Sequence, residues 1–76
     1  MTTKGEYRVG IDFNPSGNEM VNNIKRMAAD AIDVIETIPD RGDGEIKRLK
    51  ALAATHTEDA AMWAVKAATK KPYDAP

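Results

Sequence analysis

Ile35-Glu36-Thr37-Ile38-Pro39-Asp40-Arg41-Gly42-Asp43-Gly44-Glu45-Ile46 interrupts a chain otherwise written in helical period. Pro39 ends whatever helix precedes it, because a residue before proline is pushed out of the helical region. Asp40 to Gly44 is a loop by composition, with two glycines and with Asp43 placed to cap a new helix. Upstream, Val21, Ile24, Ala28, Ala31, Ile35 and Ile38 advance in steps of three and four, a helical seam and not strand alternation. Met20, Met27, Ile32 and Val34 widen that seam beyond a narrow stripe. Downstream, Ile46, Leu49, Ala53, His56, Ala60, Trp63 and Ala67 repeat the same alternation, with Leu52, Met62 and Val65 to one side. Alanine is abundant from Ala51 to Ala68, which favours helix and lets a neighbouring backbone approach. Pro72 stops this second helix, and Tyr73 to Pro76 is a short tail.

Two long helices joined by a short loop make an αα-hairpin. The expected fold is therefore all-α: one domain over residues 1–76, with a long antiparallel hairpin of helices at 16–38 and 44–70. Residues 1–13 form an N-terminal arm, in which Tyr7-Arg8-Val9-Gly10-Ile11 reads as a brief extended segment too short for an independent sheet. At about 1.5 Å per residue the second helix is roughly 40 Å long. Two such rods leave much of both outer faces wet, and hairpins of this size usually need a staple or a partner. The extra apolar stripes accordingly predict a homo-oligomer.

Composition removes several classes. The 76 residues contain no cysteine, which excludes disulfides and thiolate metal sites. Eleven basic against twelve acidic residues leave a net charge of −1, no electrostatic footprint for duplex DNA or an anionic membrane. No apolar run approaches the roughly 20 residues of a membrane span, and the N-terminus lacks a signal-peptide core. A cytoplasmic location is expected.

Catalysis is poorly supported. His56 has no cysteine to activate, and its place on the second seam reads as an interior or interfacial histidine. Asp30, Asp33, Glu36 and Asp40 recur at helical intervals, as a solvated face does; a metal site would need a second cluster with histidines. With no phosphate-loop glycine pattern either, neither an enzyme nor a cofactor is expected.

Binding has more support. The stretch from Phe13 to Lys25 starts the first long helix, with Asn14-Pro15 as a turn and Ser16 and Glu19 at capping-box spacing. A helix start alone accounts for these residues. The sharper reading is that the capped N-terminus faces an anion such as phosphate, with Phe13 stacking on a base and Lys25 pairing with the phosphate. Asn14, Ser16 and Asn23 supply polar groups along the same wall, and Arg26 continues the positive charge. On the second helix, Trp63 and Lys66 form either a solubilised anchor for the hairpin or, in a symmetric oligomer, part of a converging positive ring.

The Ile24-Lys25 helix start and the segment Thr55-His56-Thr57-Glu58-Asp59-Ala60-Ala61-Met62-Trp63-Ala64-Val65-Lys66-Ala67, followed by Pro72, resemble the phage helical-hairpin family of anti-CBASS and anti-Thoeris sponges. The resemblance covers roughly residues 13–73. It implies a homo-oligomer, often a hexamer, working in the host bacterial cytoplasm. Such proteins sequester cyclic nucleotide immune signals without cleaving them, in pockets between protomers: cyclic dinucleotides, in some members cyclic trinucleotides at a second site, in others cyclic ADP-ribose isomers. Lys25 matches the family lysine that contacts the dinucleotide phosphate. Phe13 matches the family aromatic that stacks on a base, at different spacing and without a tyrosine hydroxyl, and Tyr7 is an alternative match. Lys66 stands where some members place an arginine against the trinucleotide, keeping the charge and losing the bidentate fork. The runner-up is a helical-hairpin interaction module without a small-molecule ligand.

Overall fold

The computed structural model describes residues 1–73, which form three helices: α1 (Lys4–Val9), α2 (Glu19–Glu36) and α3 (Gly44–Thr69). No strand occurs among the described residues. The tail expected at Tyr73–Pro76 lies, beyond Tyr73, outside them. The all-helical hairpin of α2 and α3 is as expected, although α2 ends at Glu36, with Thr37 as its C-cap, two residues short of the expected 38. Asp43 caps α3 by accepting from the Glu45 and Ile46 amides at 2.8 and 3.2 Å.

The start of α2 differs from the expectation. Ser16 and Glu19 form no capping box; Asn18 is the cap, its Oδ1 accepting from the Met20 and Val21 amides, and Glu19 is the first helical residue. Gly17, at φ 65°, carries the chain out of the Asn14–Gly17 turn and leaves Ser16 outside the helix. Asn14 holds this corner together, with its amide donating to Asn18 O and Asn22 Oδ1 and its Oδ1 accepting from the Asn18 amide. Asn18→Ala should therefore lower stability by about 1 kcal/mol, whereas Ser16→Ala should change it little. Urea midpoints check this, and an equal loss from Ser16→Ala would return the cap to Ser16.

The expected extended arm is also corrected: residues 4–9 are helical. Thr3 and Glu6 make a complete capping box, and Gly10, at φ 64°, closes the other end with its amide on the Glu6 and Tyr7 carbonyls. Six residues form a marginal helix alone, so α1 depends on docking. Its Gly5 sits against α2, where the Gly5 amide donates to Asp33 Oδ1 at 2.7 Å. Ion pairs Lys4–Glu36, Arg26–Glu6 and Arg8–Glu58 tie α1 to both long helices. Val9 joins Ala28, Ala29, Ile32, Ala54 and Ala61 in the core.

The inner seam of the hairpin is shifted from the one expected. On α3 the side chains facing α2 and α1 run through Ile46, Lys50, Ala54, Glu58, Ala61 and Val65, while Leu49, Ala53, His56, Ala60, Trp63 and Ala67 are exposed. The interior reading of His56 is thereby excluded within one chain. On α2 the buried positions are Val21, Lys25, Ala28, Ala29 and Ile32. Met27, Ala31 and Val34 are exposed, and at 100° per residue they lie roughly opposite Ala29 and α1. The described chain is a slab of 56 × 30 × 12 Å with a radius of gyration of 15.0 Å. A compact domain of this length would measure about 11 Å, so the chain is extended. Among the described residues α1 packs on the Ala29 side of the hairpin, and the face of Met27, Ala31 and Val34 is exposed.

Candidate functional site

Four of the expected site residues meet at one pocket. Phe13, Asn14 and Ser16 from the α1–α2 connection, with Val21 and Lys25 from α2 and Val65 and Thr69 from α3, line a cavity of about 300 Å³. Lys25 is its charged element and is only 4% exposed. Its ammonium donates to Gly10 O at 2.8 Å and to Phe13 O, and lies 5.4 Å from the centre of the Phe13 ring. None of the ion pairs among the described residues includes Lys25. An ammonium has three protons to donate, so two carbonyls leave one. Phe13 itself is 74% exposed, a ring held outward by a buried backbone anchor.

On the other side of Phe13, Tyr7, Glu6, Gly10, Ile11 and Asp12 help line a second depression of about 400 Å³. Tyr7 and Phe13 thus share one wall, and both rings are exposed. Arg26 is drawn elsewhere, pairing with Glu6 at 2.8 Å and Asp30 at 2.9 Å, and lines neither cavity. Asn23 is exposed on α2 and is also outside both linings. The Glu6 carboxyl is held below its ordinary range, first by the Thr3 amide and then by Arg26. A lowered pKa means that this support for the α1 cap is present above the ordinary carboxylate range and is lost as pH falls through the depressed value. Val65 and Thr69 are not among the expected site residues; the sequence places Val65 on a side stripe of the second helix, and nothing local marks Thr69.

Trp63 and Lys66 stand together further along α3, the Lys66 ammonium 5.4 Å from the indole centre. Trp63 continues the exposed α3 stripe past a shallow apolar groove of about 530 Å³, which Ile24, Met27 and Ala31 line from α2 and His56, Ala60 and Ala64 from α3. No described helix is long and apolar enough to cross a membrane.

The family model of the Acb2/Tad1 hairpin domain matches residues 5–69. The chain belongs to that family. These are the anti-CBASS and anti-Thoeris sponges, binding proteins rather than enzymes. No curated protein and no solved structure gave a significant match. The matched span begins at Gly5 and ends at Thr69, so the Acb2/Tad1 hairpin includes all of α1 but Lys4, the connection that carries Phe13, and the whole of α2 and α3.

Proposed function

We propose that this Acb2/Tad1 hairpin is a phage anti-defence protein that sequesters cyclic oligonucleotide second messengers in the bacterial host cytoplasm and does not cleave them. The observation that carries the reading is Lys25: a buried ammonium with no carboxylate partner among the described residues, opening on a cavity walled by an exposed aromatic ring. Its remaining proton suits a phosphate oxygen, and Phe13 suits a base face. Charge-assisted contacts of this sort contribute roughly 1.5–3 kcal/mol each. Asn14 and Ser16 contribute chiefly by shaping the loop, and Tyr7 offers a second stacking surface on the far side of Phe13. Cyclic dinucleotides are the first ligands to test, with cyclic trinucleotides and cyclic ADP-ribose isomers after them; Trp63 and Lys66 are the candidates for a second, trinucleotide-type site.

At about 300 Å³ the cavity stands at the lower end of small-molecule sites. One chain therefore supplies part of a pocket, and the rest comes from a neighbour in a homo-oligomer, a hexamer by family precedent. The bare apolar face supports the assembly and also favours the second reading, an interaction module with no small ligand. Calorimetric titration against a panel of cyclic di- and trinucleotides and cyclic ADP-ribose isomers separates the two. Heat with at least one member is expected, and the ligand released on denaturing the complex should be chemically intact. Silence across the panel would favour the interaction module; recovery of linear product would make the protein an enzyme.

A further inference from the structure

We infer that Lys25 is a positioning residue for Phe13, acting on the uncharged part of a ligand through the loop as well as on its charge. This rests on the nucleotide-binding reading and deepens it. The first half of the Gly10–Phe13 connection is tied down at Ile11, which packs against the core and donates its amide to Glu6 O at 3.0 Å. Beyond Ile11 the chain has less to hold it: Asp12 and Phe13 are exposed, and the local backbone bond is Phe13 N–H to Gly10 O at 2.9 Å. Gly10 turns the chain off α1 in the left-handed region, and its carbonyl is one of the two that Lys25 grips. The other belongs to Phe13, so the ammonium fixes both ends of the turn and the residue whose ring divides the two cavities. A buried amine on two carbonyls is costly to leave unsatisfied, which makes the clamp strong and local. It orders the aromatic wall before any ligand arrives, and preordering removes that entropy loss from binding.

Lys25→Met keeps most of the aliphatic stem and removes the donors. Amide exchange across residues 10–17 should then rise tenfold or more while residues 28–34 of α2 keep their protection. Affinity should fall on the order of tenfold for an uncharged probe, a nucleoside such as guanosine or adenosine, as well as for a cyclic dinucleotide. Gly10→Ala is the companion variant, since it strains the turn at positive φ and retains the Lys25 charge. It should move both readouts in the same direction. Unchanged loop exchange in Lys25→Met would overturn the clamp, as would nucleoside affinity maintained while dinucleotide affinity falls; the latter pattern leaves Lys25 as a phosphate contact alone. A mobile loop with full affinity in Gly10→Ala would overturn the positioning role. Were the unaltered protein to bind no nucleotide or nucleoside, the proposed function would fail and loop exchange alone would decide the clamp.

Discussion

Gly5→Ala is expected to undock α1 and to lower the stability of the chain by about 3 kcal/mol or more. A β-carbon at Gly5 would fall inside the van der Waals shell of the Ala29 carbonyl oxygen and 2.8 Å from Asp33 Oδ1. The first obstacle is backbone in the middle of α2, at a residue with 0% exposure, so it cannot step aside as a side-chain tip can. Relief requires moving α1 away, which breaks the Gly5–Asp33 hydrogen bond, strains three ion pairs and uncovers Val9. Intrinsic propensity argues the other way, since alanine is better than glycine in a helix by about 1 kcal/mol. Gly44→Ala isolates that term: Gly44 opens α3 and a β-carbon there meets nothing within 4 Å. Urea unfolding followed by circular dichroism should show a large drop for Gly5→Ala and little change or a slight gain for Gly44→Ala. Equal midpoints for Gly5→Ala and the unaltered protein would show that α1 is not docked this closely. Because the loop carrying Phe13 leaves α1 directly, ligand affinity should fall with the same substitution.

Helix type and hairpin topology were legible because Pro39, Gly42 and Asp43 act locally and act as they read. The burial pattern was harder to read, and particular residues show why. The true inner seam of α3 contains Lys50 and Glu58, which a search for apolar positions rejects. Lys50 lies inside because its ammonium donates to the Glu36 and Ile38 carbonyls at the end of α2. Glu58 lies inside because Arg8 of α1 meets it at 2.8 Å. Their partners are 12–14 and 50 positions away, so no local period reveals them. Lys25 is the same case on α2, buried by carbonyls that precede it in the chain. The apolar seam that was legible on α3 is real, but it faces outward. α1 was missed for a different reason: Thr3 and Glu6 have capping-box spacing and Gly10 is a terminator, yet six residues are too few for periodicity to register. At the candidate site, the grouping of Phe13 with Lys25 was readable as proximity across a helix start. The contribution of Val65 and Thr69 required knowing how far α3 runs back along α2.

The outward seam supports the second large prediction. The unaltered protein should behave in light scattering as a multiple of its 8.3 kDa chain at micromolar concentration, and Ala60→Glu should reduce it to a helical monomer. Ala60 lines the groove opposite Ile24, Met27 and Ala31, all on the slab face that α1 leaves bare. Alanine there allows a neighbouring helix close approach. A glutamate would have to be buried against mostly methyl and thioether groups, with no lysine or arginine among the groove's lining residues and His56 the one titratable side chain there, at a cost of several kcal/mol per buried charge. Within one chain Ala60 is exposed, so the same glutamate is solvated in a monomer and leaves the hairpin fold intact. The substitution therefore separates assembly from folding, as a core change such as Ile32→Ala would not. It also bears on ligand binding, since a pocket completed by a neighbour loses affinity when the neighbour leaves. Ala60→Glu at unchanged mass would move the interface off this groove, and a folded monomer from the unaltered chain would remove the assembly altogether.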